Sequence, residues 1–126
     1  MLKKVSSITG QELREMFAAA TNWLEKNAPD IDDLNVFPVP DGDTGTNMLL
    51  TMRSSVEETY RVPEHNASVV PKALAKGALL GARGNSGVIL SQIFRGMAED
   101  IAYKEEITGA DLARALGKAS KTAYSR

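Results

Sequence analysis

No cysteine occurs in the 126 residues of the chain, which excludes disulfide frameworks, thiolate metal sites and thiol nucleophiles together. Histidine is nearly missing as well, His65 being the single one, so chemistry must fall to oxygen ligands, lysine, arginine or that imidazole. Aromatic residues are sparse, at 6%. No apolar run approaches the roughly 20 residues a membrane-crossing helix needs, and the opening MLKKVSSITG lacks the apolar stretch of a signal peptide. A soluble, cytoplasmic chain with no transmembrane segment is expected. Charge of one sign is also lacking. Fifteen Lys and Arg face sixteen Asp and Glu, for a formal net charge of −1, without the basic excess that favours a phosphate backbone, so no nucleic-acid partner is expected. What is present, 43% hydrophobic and 25% charged residues, suits a single domain over residues 1–126 built on one core.

The hydrophobic pattern is helical throughout. Thr9-Gly10-Gln11-Glu12 has the form of a capping box, after which Leu13, Met16, Phe17, Ala20, Trp23 and Leu24 recur at helical spacing. This predicts a helix from about Gly10 to Lys26 that Pro29 interrupts, with at most a short turn over Asp30 to Leu34. Met48, Leu49, Met52, Val56 and Tyr60 mark a second helix, with Glu57 and Glu58 on its wet side. Val70, Leu74, Gly77 and Ala78 mark a third, whose small residues permit close helix contact. Ile89, Leu90, Ile93, Phe94, Met97 and Ile101 form the apolar face of a fourth, beginning near Asn85 or Ser86 and ending near Asp100. Ile107-Thr108-Gly109-Ala110-Asp111-Leu112 repeats the layout of Ile8-Thr9-Gly10-Gln11-Glu12-Leu13, and the repetition reads as shared capping chemistry at the head of a fifth helix. No stretch alternates as a strand would, so an all-α domain of antiparallel amphipathic helices is expected. The last helix meets the C-terminus without a stop signal, as expected of a chain truncated on that side. Trp23, Phe17 and Phe94 read as core anchors, Met48, Met52 and Met97 as fillers of helix faces, and His65 as a loop residue without a role.

Two loops ask for more than a structural reading. In the first, Asn35 to Asn47, prolines stiffen a run that delivers Asp41 and Asp43 to a helix start. Asp-Gly-Asp before a helix is, by itself, ordinary turn and cap chemistry. Hinged at Gly42, however, the two carboxylates can face one point, and hard oxygen ligands gathered there suit Mg²⁺, which takes only one or two protein carboxylates and completes its shell with water and phosphate oxygens. Thr44, Gly45, Thr46 and Asn47 would set hydroxyl, amide and backbone N–H groups at the positive end of a helix dipole beside the cation. An EF-hand is excluded: counted from Asp41, its sixth and twelfth positions hold Thr46 and Met52, where Gly and Glu are required. A Walker loop is excluded too, as no Gly-Lys-Ser/Thr occurs. The second loop, Gly81-Ala82-Arg83-Gly84-Asn85-Ser86-Gly87, holds three glycines and opens a helix. Its backbone amides can approach a phosphate, although a glycine-rich link between two packed helices would read the same way. The guanidinium of Arg83 would neutralise an anion there, or simply be solvated.

The first loop, Asn-Val-Phe-Pro-Val-Pro-Asp-Gly-Asp-Thr-Gly-Thr-Asn-Met from Asn35 to Met48, occurs together with Gly-Ala-Arg-Gly-Asn-Ser-Gly-Val-Ile-Leu-Ser-Gln from Gly81 to Gln92. The pair resembles the nucleotide-binding domain of the dihydroxyacetone kinases. It is most similar to the N-terminal kinase domain of bacterial fatty acid kinases, in which the first loop carries Val-Phe-Pro-Val-Pro. The resemblance covers the whole chain but not the whole family domain, which continues through further helices. It implies part of an antiparallel barrel of eight amphipathic helices, with ATP and two Mg²⁺ ions held by loops at one end. It assigns Asp41, Asp43 and Asn35 to metal, the last where dihydroxyacetone kinases carry an acid. Thr44, Gly45, Thr46 and Asn47, with Gly84, Asn85, Ser86 and Gly87, are assigned to the nucleotide.

The function so implied is ATP- and Mg²⁺-dependent phosphoryl transfer by a kinase domain, with Asp41 and Asp43 catalytic through the metal. The leading acceptor is a fatty acid presented by a separate fatty-acid-binding carrier protein and converted to an acyl phosphate. Its carboxylate is already anionic near neutral pH, which agrees with the lack of a convincing general base. Two rivals remain: a dihydroxyacetone (glycerone) kinase subunit, and a nucleotide-binding module without turnover. The sequence leaves room for a homo-oligomer and does not set the acyl length.

Overall fold

The structure, a computed structural model, describes residues 6–36, 42–62, 66–101 and 104–125. Five helices account for most of them: α1 (Gly10–Asp33), α2 (Thr44–Thr59), α3 (Val69–Gly81), α4 (Gly84–Ile101) and α5 (Gly109–Tyr124). The all-α class follows directly from the helical periodicity. Two short strands, β1 (Ile8–Thr9) and β2 (Glu106–Ile107), are the addition the sequence pattern did not reveal.

The repeated Ile-Thr-Gly layout explains both strands and both helix starts. Thr9 Oγ1 accepts the Glu12 amide at 3.1 Å while Glu12 returns a carboxylate oxygen to the Thr9 amide at 3.0 Å. Thr108 and Asp111 repeat the exchange at 3.1 and 2.9 Å. Each box satisfies donors that a helix start leaves open. The residues just before them pair antiparallel, Ile8 opposite Ile107 and Thr9 opposite Glu106, which clamps the starts of α1 and α5 together. The same segment accepts the Ala67 amide at Glu105 and the Ser68 amide at Lys104, so it also holds the approach to α3.

Packing proceeds helix by helix, α1 on α2, α2 on α3, α3 on α4 and α4 on α5, with α2 also touching α4. Leu13, Leu74, Ile101 and Ile107 are fully buried at its centre, each stabilising the fold by about 1.5–3 kcal/mol through removal of apolar surface from water. Phe17 and Phe94 meet edge to face with ring centroids 5.7 Å apart, as expected of core anchors. At Gly77 a Cβ would lie 2.4 Å from the Ser54 carbonyl oxygen, so α2 and α3 approach as closely as the small residues of α3 suggested.

Three expectations need correction. Pro29 does not end α1, which continues through it to Asp33. Proline removes one helical N–H, but the turn around it is held from outside: Ala28 is buried, and Gly45 of α2 packs so tightly there that a Cβ would lie 2.4 Å from the Ala28 carbonyl oxygen and 3.0 Å from Ile31 Cβ. Trp23 is 67% exposed rather than a core anchor, because no described helix covers its side of α1. Glu58 lies not on a wet face but buried between α2 and α3, paired with Lys76 and Arg61, each at 3.3 Å. The boundaries of α4, Gly84 and Ile101, fall within one or two residues of those expected. His65, Pro63 and Glu64 lie outside the described residues.

Candidate functional site

α3 and α4 are joined by only Ala82 and Arg83, so the chain reverses there and the start of α4 returns to the start of α2. Two side chains of α2 make the junction. Thr51, fully buried, accepts the Arg83 amide on its hydroxyl at 3.1 Å and donates that hydroxyl to the Asn47 carbonyl at 2.8 Å. Asn47 lies against Gly84, where a Cβ would come 2.6 Å from the Asn47 amide nitrogen. Gly84 also has φ +66°, a left-handed conformation that L side chains adopt at a cost. Gly87 is pressed on Thr51 in the same way, its Cβ position 2.5 Å from Thr51 Oγ1. The two glycine-bearing loops thus meet at one end of the fold, with the N-termini of α2 and α4 side by side.

The two helix starts are equipped differently. At α2, acceptors from the end of α1 fill the open donors: Asn35 Oδ1 accepts the Asp43 and Thr44 amides, both at 3.1 Å. The Asp32 carboxylate accepts the Thr46 amide at 3.0 Å and the Thr46 hydroxyl at 2.6 Å. These bonds to Thr46, chiefly the one from its hydroxyl, hold the Asp32 carboxyl below its ordinary pKa, since they favour the charged form. Asp43 occupies the N-cap position, yet its side chain makes no capping hydrogen bond. Among the described residues its carboxylate has no hydrogen-bond partner, whereas the side chain of an ordinary N-cap bonds an amide two or three residues on. At α4 the opposite holds. Among the described residues no acceptor meets the backbone N–H groups of Gly84, Asn85 and Ser86, and Gly84 and Asn85 are exposed, so donors point outward at the positive end of a helix dipole.

Asn35, Asp43, Thr44, Gly45, Thr46, Asn47, Gly84, Asn85, Ser86 and Gly87 therefore all fall at this end of the fold. Their duties differ in detail from the sequence reading. Thr46 is turned toward Asp32, Gly45 is a packing position against α1, and the guanidinium of Arg83 is exposed without a partner among the described residues. Asp41 and the run from Phe37 to Pro40 lie outside the described residues. Among those described, no cluster of three acidic or imidazole groups forms a ready metal cage. The Asp43 carboxylate, without a partner among the described residues, is the donor present there for a cation, and Mg²⁺ needs only one or two protein carboxylates.

Sequence reasoning missed Asp32 and Thr51. A signal for Asp32 was available, since acids in the last turn of a helix oppose its dipole and α1 ends on Asp30, Asp32 and Asp33 with no base in that turn. Thr51 gave none beyond being polar on an apolar face.

Comparison with known proteins gives the family. A family model described as the DAK2 domain matches residues 38–126, and the chain belongs to that family, as the resemblance of its two loops to the dihydroxyacetone kinases implied. It is 48% identical over 120 residues to Protein YloV of Bacillus subtilis (strain 168), covering 95% of this chain and 22% of that protein. It is 47% identical over 120 residues to an uncharacterized protein of Staphylococcus aureus (strain USA300), with the same coverage of each. The chain thus spans about a fifth of the length of these relatives. Among the described residues, no helix is long and apolar enough to cross a membrane.

Proposed function

We propose that this domain binds ATP with magnesium between its two glycine-bearing loops and serves phosphoryl transfer to a fatty acid brought by a carrier protein. The observation that carries the reading is the pairing of an N-cap carboxylate not used for capping, Asp43, with an open helix start at Gly84–Ser86, joined through Thr51. One loop offers negative oxygen and the other offers N–H donors, the two requirements of a metal-bound polyphosphate.

In this reading Asp43, with Asp41 from the same loop, holds magnesium, and the expectation of two ions rests on the resemblance to the dihydroxyacetone kinases. The Asn35 side-chain oxygen already takes two amide bonds, so we place it behind the carboxylates, fixing the loop, rather than among the ligands. Magnesium, when bound, neutralises phosphate charge. The amides of Gly84, Asn85 and Ser86 bind phosphate oxygens and stabilise charge on the transferring group. The fatty acid carboxylate oxygen attacks the γ-phosphorus, and the bond from that phosphorus to the β,γ-bridging oxygen breaks with its electron pair leaving on ADP. The products are an acyl phosphate and ADP. No proton has to be removed from the nucleophile, so the domain's work is positioning.

Membership of the DAK2 family favours one competing acceptor, dihydroxyacetone held by a partner subunit. Radiolabelled ATP offered to the full-length protein with each acceptor and its carrier separates the two. Label on the acyl group is expected, label on dihydroxyacetone alone would overturn the fatty acid reading, and nucleotide binding without transfer to either would leave a binding module.

A further inference from the structure

We infer that Asp32 is a positioning residue for this site, a cap supplied to α2 from the end of α1 that leaves the Asp43 carboxylate free for its ligand. The inference rests on the nucleotide reading above. Three acids in the final stretch of α1 oppose that helix's own dipole, with no base in its last turn to offset them. A local choice that harms its own element indicates a task elsewhere, and for Asp32 the task is visible. Its carboxylate spans to Thr46, fourteen residues on, taking both the amide and the hydroxyl. Its backbone carbonyl accepts the Asn35 amide at 3.1 Å, and Asn35 in turn takes the Asp43 and Thr44 amides. Gly42 lies on the same carbonyl, a Cβ there standing 3.5 Å from the Asp32 oxygen.

One residue therefore anchors both halves of the turn, directly at Thr46 and through Asn35 at Asp43. In an ordinary helix start the N-cap side chain bonds the amide two or three residues on. Here Asp32 fills that bond at Thr46 from another helix, and the Asp43 side chain makes none. Without Asp32, the Thr46 amide would lack its acceptor, and Asp43, the N-cap residue three positions before it, would be placed to turn inward and replace it. Such a swap would restore the cap and remove the ligand.

The test compares Asp32→Ala and Asp32→Asn with the wild type in the full-length protein. Two readouts are taken: amide hydrogen exchange at Thr44, Gly45 and Thr46, and calorimetric affinity for magnesium with a nonhydrolysable ATP analogue. Asp32→Ala is expected to speed exchange and to weaken magnesium-dependent binding by roughly fivefold or more, the size of a lost cap. Asp32→Asn, which keeps an acceptor, should recover most of both. Unchanged exchange in Asp32→Ala would overturn the inference, and so would faster exchange with undiminished affinity, since Asp32 would then be a structural cap alone. A wild-type protein that takes up no magnesium nucleotide would overturn the nucleotide reading itself and remove the ligand that Asp32 is inferred to serve, while the exchange result would still decide whether it holds the turn.

Discussion

The Thr51 hydroxyl and the Arg83 amide, 32 positions apart in sequence, meet at 3.1 Å inside the fold, and this bond ties the start of α4 to the flank of α2. Because Thr51 also donates to the Asn47 carbonyl, its one oxygen serves both loops. Thr51→Val keeps the shape but removes both bonds, and we expect it to lower stability by about 1 kcal/mol and to weaken nucleotide binding as well. Thr51→Ser should restore both. Thermal melts and nucleotide titration of the two variants check this, and a Val variant that binds nucleotide normally would separate the loops functionally.

The glycines divide sharply. Gly45→Ala would place a Cβ 2.4 Å from the Ala28 carbonyl oxygen, a backbone clash that should destabilise the fold by about 1–3 kcal/mol. Gly84→Ala adds a left-handed φ of +66° to a contact with Asn47 and is expected to damage binding as well as stability. Gly117, on the exposed side of α5, has nothing within 4 Å, so Gly117→Ala should stabilise by about 0.5–1 kcal/mol through helix propensity. Denaturant midpoints decide all three.

Acid sensitivity should concentrate at the head of α5. The Thr108 amide, then Arg114 at 2.9 Å and Lys104 at 3.1 Å, hold the Asp111 carboxyl well below the usual carboxylate range. A depressed folded-state pKa contributes stability above the unfolded value, near pH 4, that is lost as pH falls below it. Asp111→Asn should therefore melt lower than wild type at pH 7, with the gap closing as the pH is lowered below about 4. A gap independent of pH would assign the loss to packing.

Asp43→Ala tests the division between cap and ligand. An ordinary N-cap substitution costs about 1 kcal/mol, and Thr9→Ala, which breaks the capping box of α1, is the control. The Asp43 side chain makes no capping bond, so its removal should change stability by less than about 0.5 kcal/mol. It should still lower phosphoryl transfer by roughly a hundredfold or more. Asp41→Ala is expected to behave alike. Equal loss of fold and activity would return Asp43 to turn chemistry.

Most of the helical architecture is legible in the sequence, because capping boxes and a 3.6-residue period are local signals. Thr9 and Thr108 mark their helices correctly, and Gly77 marks the close approach of α3 to α2. The errors arise where distant contacts override local preference. Pro29 reads as a stop, but Gly45 packs the turn beside it into the helix. Periodicity defines the faces of α1 and α2 without naming their neighbours, so Trp23 is exposed and Glu58 buried against expectation. At the site the glycine-bearing loops are legible as two pieces, whereas their union depends on Thr51 and their bracing on Asp32, whose partners are remote in sequence. Ile89 and Leu116, both about half exposed, line an open apolar groove of about 550 Å³ between α4 and α5, another feature that a helical period cannot foretell.

The most direct test is a crystal structure of the full-length protein with Mg²⁺ and a nonhydrolysable ATP analogue. The triphosphate should lie on the Gly84, Asn85 and Ser86 amides, with metal density on the Asp43 carboxylate and continuous density joining the two loops. Nucleotide bound elsewhere, or an Asp43 side chain folded back onto the α2 amides beside an empty loop, would contradict it.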